Sequence, residues 1–165
     1  MKYEIILPYA VEMCKELKQY CEVIHIGGSI RRKSPDDIKD IEIVCIPNKF
    51  YLEEHLNYMK HSGSIRFIKN GGLYKQFKWR SQTIDLFIAN KNNWGWIYFL
   101  RTGSKDFNAR FLYHYKLHNK IPAHLKGSED GYLRDAAGQK VFTPDEKDVF
   151  DLAGWNFVEP EHRVQ

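Results

Sequence analysis

Val23-Ile24-His25-Ile26-Gly27-Gly28-Ser29-Ile30-Arg31-Arg32, followed by Asp40-Ile41-Glu42-Ile43-Val44-Cys45-Ile46, is the stretch that decides the fold. The first run is rich in β-branched residues and ends in Gly-Gly-Ser, which reads as a strand, a tight turn and a short helix. Ser34-Pro35-Asp36-Asp37 punctuates the chain. From Lys39 to Ile46 the pattern alternates, with Ile41, Ile43 and Cys45 on one side and Asp40, Glu42 and Val44 on the other, so a half-buried strand is expected. Two residues apart on a strand, Asp40 and Glu42 share a face at roughly 7 Å. Asp85 has the same setting within Thr83-Ile84-Asp85-Leu86-Phe87-Ile88. If these strands are neighbours, three carboxylates converge as the oxygen donors that hard divalent ions require, and two-metal phosphoryl chemistry uses such a set. Alternating acids on a solvated strand face are the plainer reading of the same pattern.

Working outward, Leu7, Val11, Cys14 and Leu17 recur at helical spacing and predict an amphipathic helix over 7–20 whose apolar stripe faces the core. A helix around 51–59 and strands over 64–68, 73–79 and 83–89 follow, with Asn70-Gly71-Gly72 as a hairpin turn. From Trp94 the pattern is helical, breaks at Arg101-Thr102-Gly103-Ser104, and resumes over 105–118. A small hairpin is expected within 127–141. Thr143-Pro144-Asp145-Glu146 then opens a last helix, with threonine as cap and proline at the first position. The expected class is α+β: a mixed β-sheet backed by helices over 1–90, and a smaller C-terminal α/β lobe over 91–165.

At 165 residues, 43% hydrophobic and 28% charged, the chain is ordinary globular material, which excludes collagen-like and broadly disordered classes. The apolar run 5–11 is interrupted by Pro8, so neither a signal peptide nor a membrane span is expected, and a cytoplasmic or nuclear location fits. Cys14, Cys21 and Cys45 form no C-x-x-C pair and read as reduced intracellular thiols. Charge is unevenly distributed. Between Glu54 and Asp85 there is no acid but six bases: Lys60, Arg66, Lys69, Lys75, Lys78 and Arg80. From Arg101 to Lys126, six bases, including Lys105 and Arg110, face Asp106 alone, whereas the segment 127–161 holds nine acids against three bases. Basic middle segments interleaved with aromatics suit a polyanion, with Lys75, Lys78, Arg80 and Arg110 as candidate DNA contacts. Lysines guarding a sheet edge are the competing explanation. His114 and His118 stand four apart but lack the Glu of an H-E-x-x-H order, so they read as ordinary surface or core residues.

The Gly27-Gly28-Ser29 turn favours phosphate: glycine lets backbone N–H groups approach an anion, a helix begins there, and Arg31 and Arg32 follow. Neither G-x-x-x-x-G-K-[ST] nor G-x-G-x-x-G occurs, so the cradle is of neither the P-loop nor the Rossmann type. Gly28-Ser29, Arg31-Arg32, Asp40-x-Glu42 and Asp85 together resemble the nucleotidyltransferase pattern of the DNA polymerase beta superfamily. Thr102-Gly103-Ser104 with Phe107-Asn108 resembles the nucleotide-binding segment of family X DNA polymerases. The stretch from Asp145 to Asp151, with Trp155 and Glu159-Pro160-x-x-Arg163, is similar to their C-terminal segment. The likeness runs from about Val23 to Arg163 and matches the minimal members known from some large DNA viruses, built of palm and nucleotide-binding lobe only. That source would place the protein in host cytoplasm.

The resemblance implies a palm over 1–90 and a nucleotide-binding lobe over 91–165. It implies two Mg²⁺ ions, or Mn²⁺, held by Asp40 and Glu42, with Asp85 on the catalytic one. Gly28, Ser29 and Arg32 would hold the triphosphate, and Thr102, Gly103, Ser104, Lys105 and Asn108 the rest of the dNTP. Asn108 would reach the minor-groove edge of the base, and Gly103-Ser104 would be the family's cis peptide. Partners implied are a dNTP and primer-template or gapped DNA, and the protein is read as a monomer. The sequence departs from the pattern in having Glu42 where the family usually has Asp, Lys39 where glycine commonly precedes the first acid, and Leu100-Arg101 where an aromatic pair usually stands. The leading expectation is transfer of dNMP to a DNA 3′-hydroxyl with release of pyrophosphate, in gap filling or repair. A superfamily member acting on RNA or a small-molecule acceptor is the alternative, and a nucleic-acid-binding module with a degenerate site is the second.

Overall fold

The computed structural model describes residues 1–163, which divide after Asn90 into two compact units. In the first, β-branched and aromatic runs form β1 (Cys21–Ile26), β2 (Ile41–Pro47), β3 (Ile65–Asn70), β4 (Tyr74–Trp79) and β5 (Gln82–Ile88). They make one mixed sheet in the order β1-β2-β5-β4-β3, in which β2 and β5 are parallel and every other pair is antiparallel. Strand alternation sends Ile41, Ile43, Cys45, Ile84, Leu86, Phe77 and Trp79 into one buried cluster. Helices α1 (Tyr3–Leu17) and α3 (Lys49–His61) close that cluster with Ile6, Ala10, Met13, Leu17, Leu52, Leu56 and Met59. This is the α+β class expected from the sequence, a mixed sheet backed by helices.

The α1 stripe is displaced from the expected one. Ile6, Ala10, Met13 and Leu17 are fully buried, Leu7 and Cys14 pack at the margin, and Val11 is exposed. Residues 5–17 carry two overlapping apolar stripes one residue apart, and packing against the sheet selects the one with Ala10, where a small residue allows close approach. The turn after β1 opens the single-turn α2 (Gly28–Arg31).

The second unit contains α4 (Trp94–Thr102), α5 (Lys105–His118), a three-stranded sheet of β6 (Ser128–Glu129), β7 (Tyr132–Arg134) and β8 (Lys140–Val141), and α6 (Glu146–Leu152). The small hairpin expected over 127–141 thus has a third strand. Trp96, Phe99, Phe107, Phe111, Tyr115, Val149 and Phe150 form its core. Asp145, not Thr143, caps α6: its side chain accepts from Lys147 N at 2.8 Å, and Asp148 reciprocates on Asp145 N at 2.8 Å. Thr143 is engaged elsewhere. Its carbonyl accepts from Gly95 N at 2.7 Å and its Oγ1 from Trp96 N at 3.1 Å, so it satisfies the first amides of α4, whose own cap residue, Asn93, makes no side-chain cap bond. Arg163 is fully buried. Its Nη1 donates to Glu146 at 2.6 Å and its Nε to the Val158 carbonyl at 2.8 Å, while its guanidinium lies among Phe99, Phe107, Phe150 and Phe157.

Candidate active site

On the sheet face opposite the buried cluster, the parallel register sets Glu42 directly beside Asp85. The β4–β5 pairing sets Gln76 beside Asp85 on its other side. Asp40 lies one residue before β2 and is exposed at its mouth. Ile41 pairs with Ile84, so Asp40 stands next to Thr83 and two residues along the same face from Glu42.

Asp85 is almost buried and its charge is compensated: Tyr74 Oη donates to Oδ1 at 2.7 Å and Gln76 Nε2 to the same oxygen at 2.9 Å. The Tyr74 ring is stacked on Phe87 at 5.0 Å, which holds the hydroxyl in place. Desolvation and the charge on Asp85 raise the Asp40 carboxyl above its ordinary pKa, against the opposing pull of Lys78 and Lys39.

Glu42 turns the other way. Gly28 has φ +58°, and a Cβ there would sit 1.7 Å from Glu42 Oε2, so the carboxylate lies directly against the glycine and only glycine fits. Gly27 N donates to the Glu42 carbonyl at 2.8 Å, fixing the turn against β2. Arg32 Nη2 donates to Ser29 Oγ at 3.1 Å. Burial lowers the Arg32 pKa, and the Glu42 carboxylate opposes that shift. Gly28, Ser29, Arg32 and Glu42 therefore form one polar cluster where β1 gives way to α2.

The two carboxylates lean apart, Asp85 toward donors on β4 and Glu42 toward the turn after β1. Among the described residues, no group of three or more His, Cys, Asp or Glu side chains is gathered in a metal-binding arrangement. The donor chemistry does fit a hard divalent ion: three carboxylates on one sheet face, two of them in register, with Asp40 repelled by Asp85 and so favoured by any cation placed between them.

In the second unit, Thr102 is buried with its Oγ1 donating to the Tyr98 carbonyl at 2.7 Å. Gly103 has φ +71°, and the Gly103-Ser104 peptide is cis. Ser104 caps α5 through its Oγ, which accepts from Phe107 N, and its amide donates to the Arg163 carbonyl at 3.1 Å. Asn108 donates from Nδ2 to the Leu100 carbonyl at 2.9 Å, leaving its buried Oδ1 without a hydrogen-bond partner. Lys105 and Arg110 are exposed on α5.

Of the DNA-contact candidates in the first unit, Lys75 is misassigned by the sequence reading. It is 2% exposed, pairs with Glu53 at 2.8 Å and donates to Asn70 Oδ1 at 2.7 Å. Strand alternation puts it on the core side with Phe77 and Trp79, where α3 supplies the acid. Lys78 is on the carboxylate face and donates to Thr83 Oγ1. Arg80 is at the β4–β5 turn, with its guanidinium on Glu12 and over the Trp79 ring. Tyr74 and Gln76 were not found from sequence. The two-residue link Arg80-Ser81 between β4 and β5 contains the signal, because it pairs Trp79 with Gln82 and thereby Gln76 with Asp85.

No protein-family model matches the sequence, and no curated protein matches it. No helix among the described residues is long and apolar enough to cross a membrane.

Proposed function

We propose that the protein is a metal-dependent nucleotidyltransferase that joins a nucleoside monophosphate from a dNTP to the 3′-hydroxyl of a DNA strand, releasing pyrophosphate. The observation that carries this reading is the in-register pair Glu42 and Asp85 on parallel strands, with the Gly28-Ser29 turn packed against Glu42. The family X resemblance of the same residues supports it and supplies the acceptor.

Asp40, Glu42 and Asp85 are the residues that would hold Mg²⁺, and the ions would neutralise the triphosphate and lower the pKa of the attacking hydroxyl. Gly28 lets the Glu42 carboxylate lie against the turn, and the Ser29–Arg32 pair would present a hydroxyl and a guanidinium to a phosphate group. Tyr74 and Gln76 hold Asp85 Oδ1, fixing the orientation of the carboxylate. By the family X resemblance, Thr102, Gly103, Ser104, Lys105 and Asn108 are the nucleotide-binding candidates of the second unit.

Extension of an end-labelled primer tests this, with each dNTP, with and without a template strand, and with Mg²⁺ or Mn²⁺. The expected result is metal-dependent addition to a DNA primer. Addition to RNA or to a small alcohol alone would move the protein to another acceptor class. Tight nucleic-acid binding with no addition to any acceptor would make it a binding module.

A further inference from the structure

We infer that the cleft bounded by Ser64, Arg66, Lys78, Arg80 and Ser81 is a phosphate-binding site for a nucleic-acid strand. It rests on the nucleotidyl-transfer reading only for the nature of the polyanion. The cleft has a volume of about 470 Å³ and lies wholly within the first unit. Arg66 on β3 is paired in register with Lys78 on β4, so two cations stand directly opposite each other. Such a pair is destabilising in a sheet unless an anion lies between or above the charges. Among the described residues, no acid forms an ion pair with Arg66 or Lys78, although the Lys78 charge acts on Asp40. Arg66 is exposed, and the Lys78 ammonium donates to the neutral Thr83 hydroxyl.

The acid that does reach this region, Glu12, takes both Nη atoms of Arg80, and Trp79 lies beneath that guanidinium. Glu12 thus meets the Arg80 charge, and Arg66, with Lys78 opposite it, presents its own charge to the cleft. The hydroxyls of Ser64 and Ser81 line the same cleft and add donors suited to a phosphate oxygen.

The position relates the cleft to the carboxylates. Arg66, Lys78 and Thr83 occupy one row across β3, β4 and β5, and Asp40 continues that row beside Thr83. Lys78 is thus one strand spacing and Arg66 two, on the order of 5 and 10 Å, from the strand that carries Asp85. A strand whose 3′ end reaches Asp85 would pass a phosphate over Arg66 and Lys78. That phosphate is either an internal phosphodiester or a terminal monoester.

The test is equilibrium binding of a labelled DNA oligonucleotide, with a 5′-hydroxyl or a 5′-phosphate, to the full chain without metal or dNTP, across a salt series. Arg66→Gln and Lys78→Gln are each expected to lower the magnitude of the log K against log[salt] slope by about one, close to tenfold in affinity at 0.1 M salt, while Arg66→Lys retains most of the binding. A 5′-phosphate preference that disappears in Arg66→Gln identifies a terminal monoester. Equal loss for both oligonucleotides identifies an internal phosphodiester. Wild-type affinity and slope in folded Arg66→Gln and Lys78→Gln would overturn the assignment. Because metal and dNTP are left out, a failure of primer extension leaves this result interpretable on its own.

Discussion

Asp40 carries opposed demands, because its ionised form is the useful one for a cation and the costly one for the fold. Its pKa is raised from the ordinary 3.8 by desolvation and by Asp85, so the folded state retains the proton longer than the unfolded chain. Stability is therefore lost as pH rises from the ordinary value through the raised one, the reverse of a salt-bridged aspartate. Asp40→Asn is expected to match or exceed wild-type thermal stability at pH 7, with its relative advantage shrinking toward pH 4, and to lose transfer activity. Melting curves at the two pH values check the sign; a variant that is less stable at pH 7 than at pH 4, relative to wild type, would contradict it. Sugar choice is a second residue-scale matter. Leu100-Arg101 replaces the aromatic pair expected to crowd a ribose 2′ position, and the Leu100 carbonyl is taken by Asn108 Nδ2. The proposed function then predicts weak rejection of ribonucleotides, with a kcat/KM ratio for dGTP over GTP below about a thousand, or ~4 kcal/mol; a larger ratio would reveal a gate elsewhere.

Among the elements, the start of α4 is the most tightly specified. A Cβ on Gly95 would stand 2.0 Å from the Asp145 carbonyl oxygen and 2.4 Å from its carbon, both backbone atoms that cannot swing aside. Gly95→Ala is expected to destabilise the second unit by roughly 1–3 kcal/mol, read as a lower denaturant midpoint, because the cap of α6 and the Thr143 contacts must shift. An unchanged midpoint would mean that α4 and α6 can part without loss. The same junction explains what sequence could not reveal. Thr143-Pro144 has the composition of a helix start, but the amides of α4 lie 47 residues upstream of the threonine, and nothing local reports that they need an acceptor. The strand elements were more legible. Period-two alternation put Glu42 and Asp85 each on the polar side of its own strand, and the parallel register of β2 and β5 sets them side by side. Applied to β4, the same alternation separates Lys75 from Lys78 and groups Tyr74, Gln76 and Lys78 with the carboxylates. Charge counting along the chain concealed this, because it ignores which side of the sheet a lysine takes.

For the molecule as a whole, the two units have separate apolar cores, and the residues read as chemically important are divided between them. The first unit holds the carboxylates, the Gly-Ser turn and the cationic cleft; the second holds the Thr102-Gly103-Ser104 segment, braced by Arg163 and Glu146. That buried pair is held from both sides, so Glu146→Gln should cost about 3–5 kcal/mol, seen as a lower melting temperature. Little or no change would show that the Arg163 charge finds another partner. The central claim concerns Asp85, the carboxylate held by Tyr74 and Gln76 on the shared face. Its most direct test is kcat for Mg²⁺-dependent nucleotide addition by wild type and by Asp85→Asn, with circular dichroism confirming that both are folded. The proposed function predicts loss of at least tenfold, more than ~1.4 kcal/mol of barrier, because the variant removes the charge and keeps the shape. Retention of more than a tenth of the wild-type rate in the folded variant would contradict it.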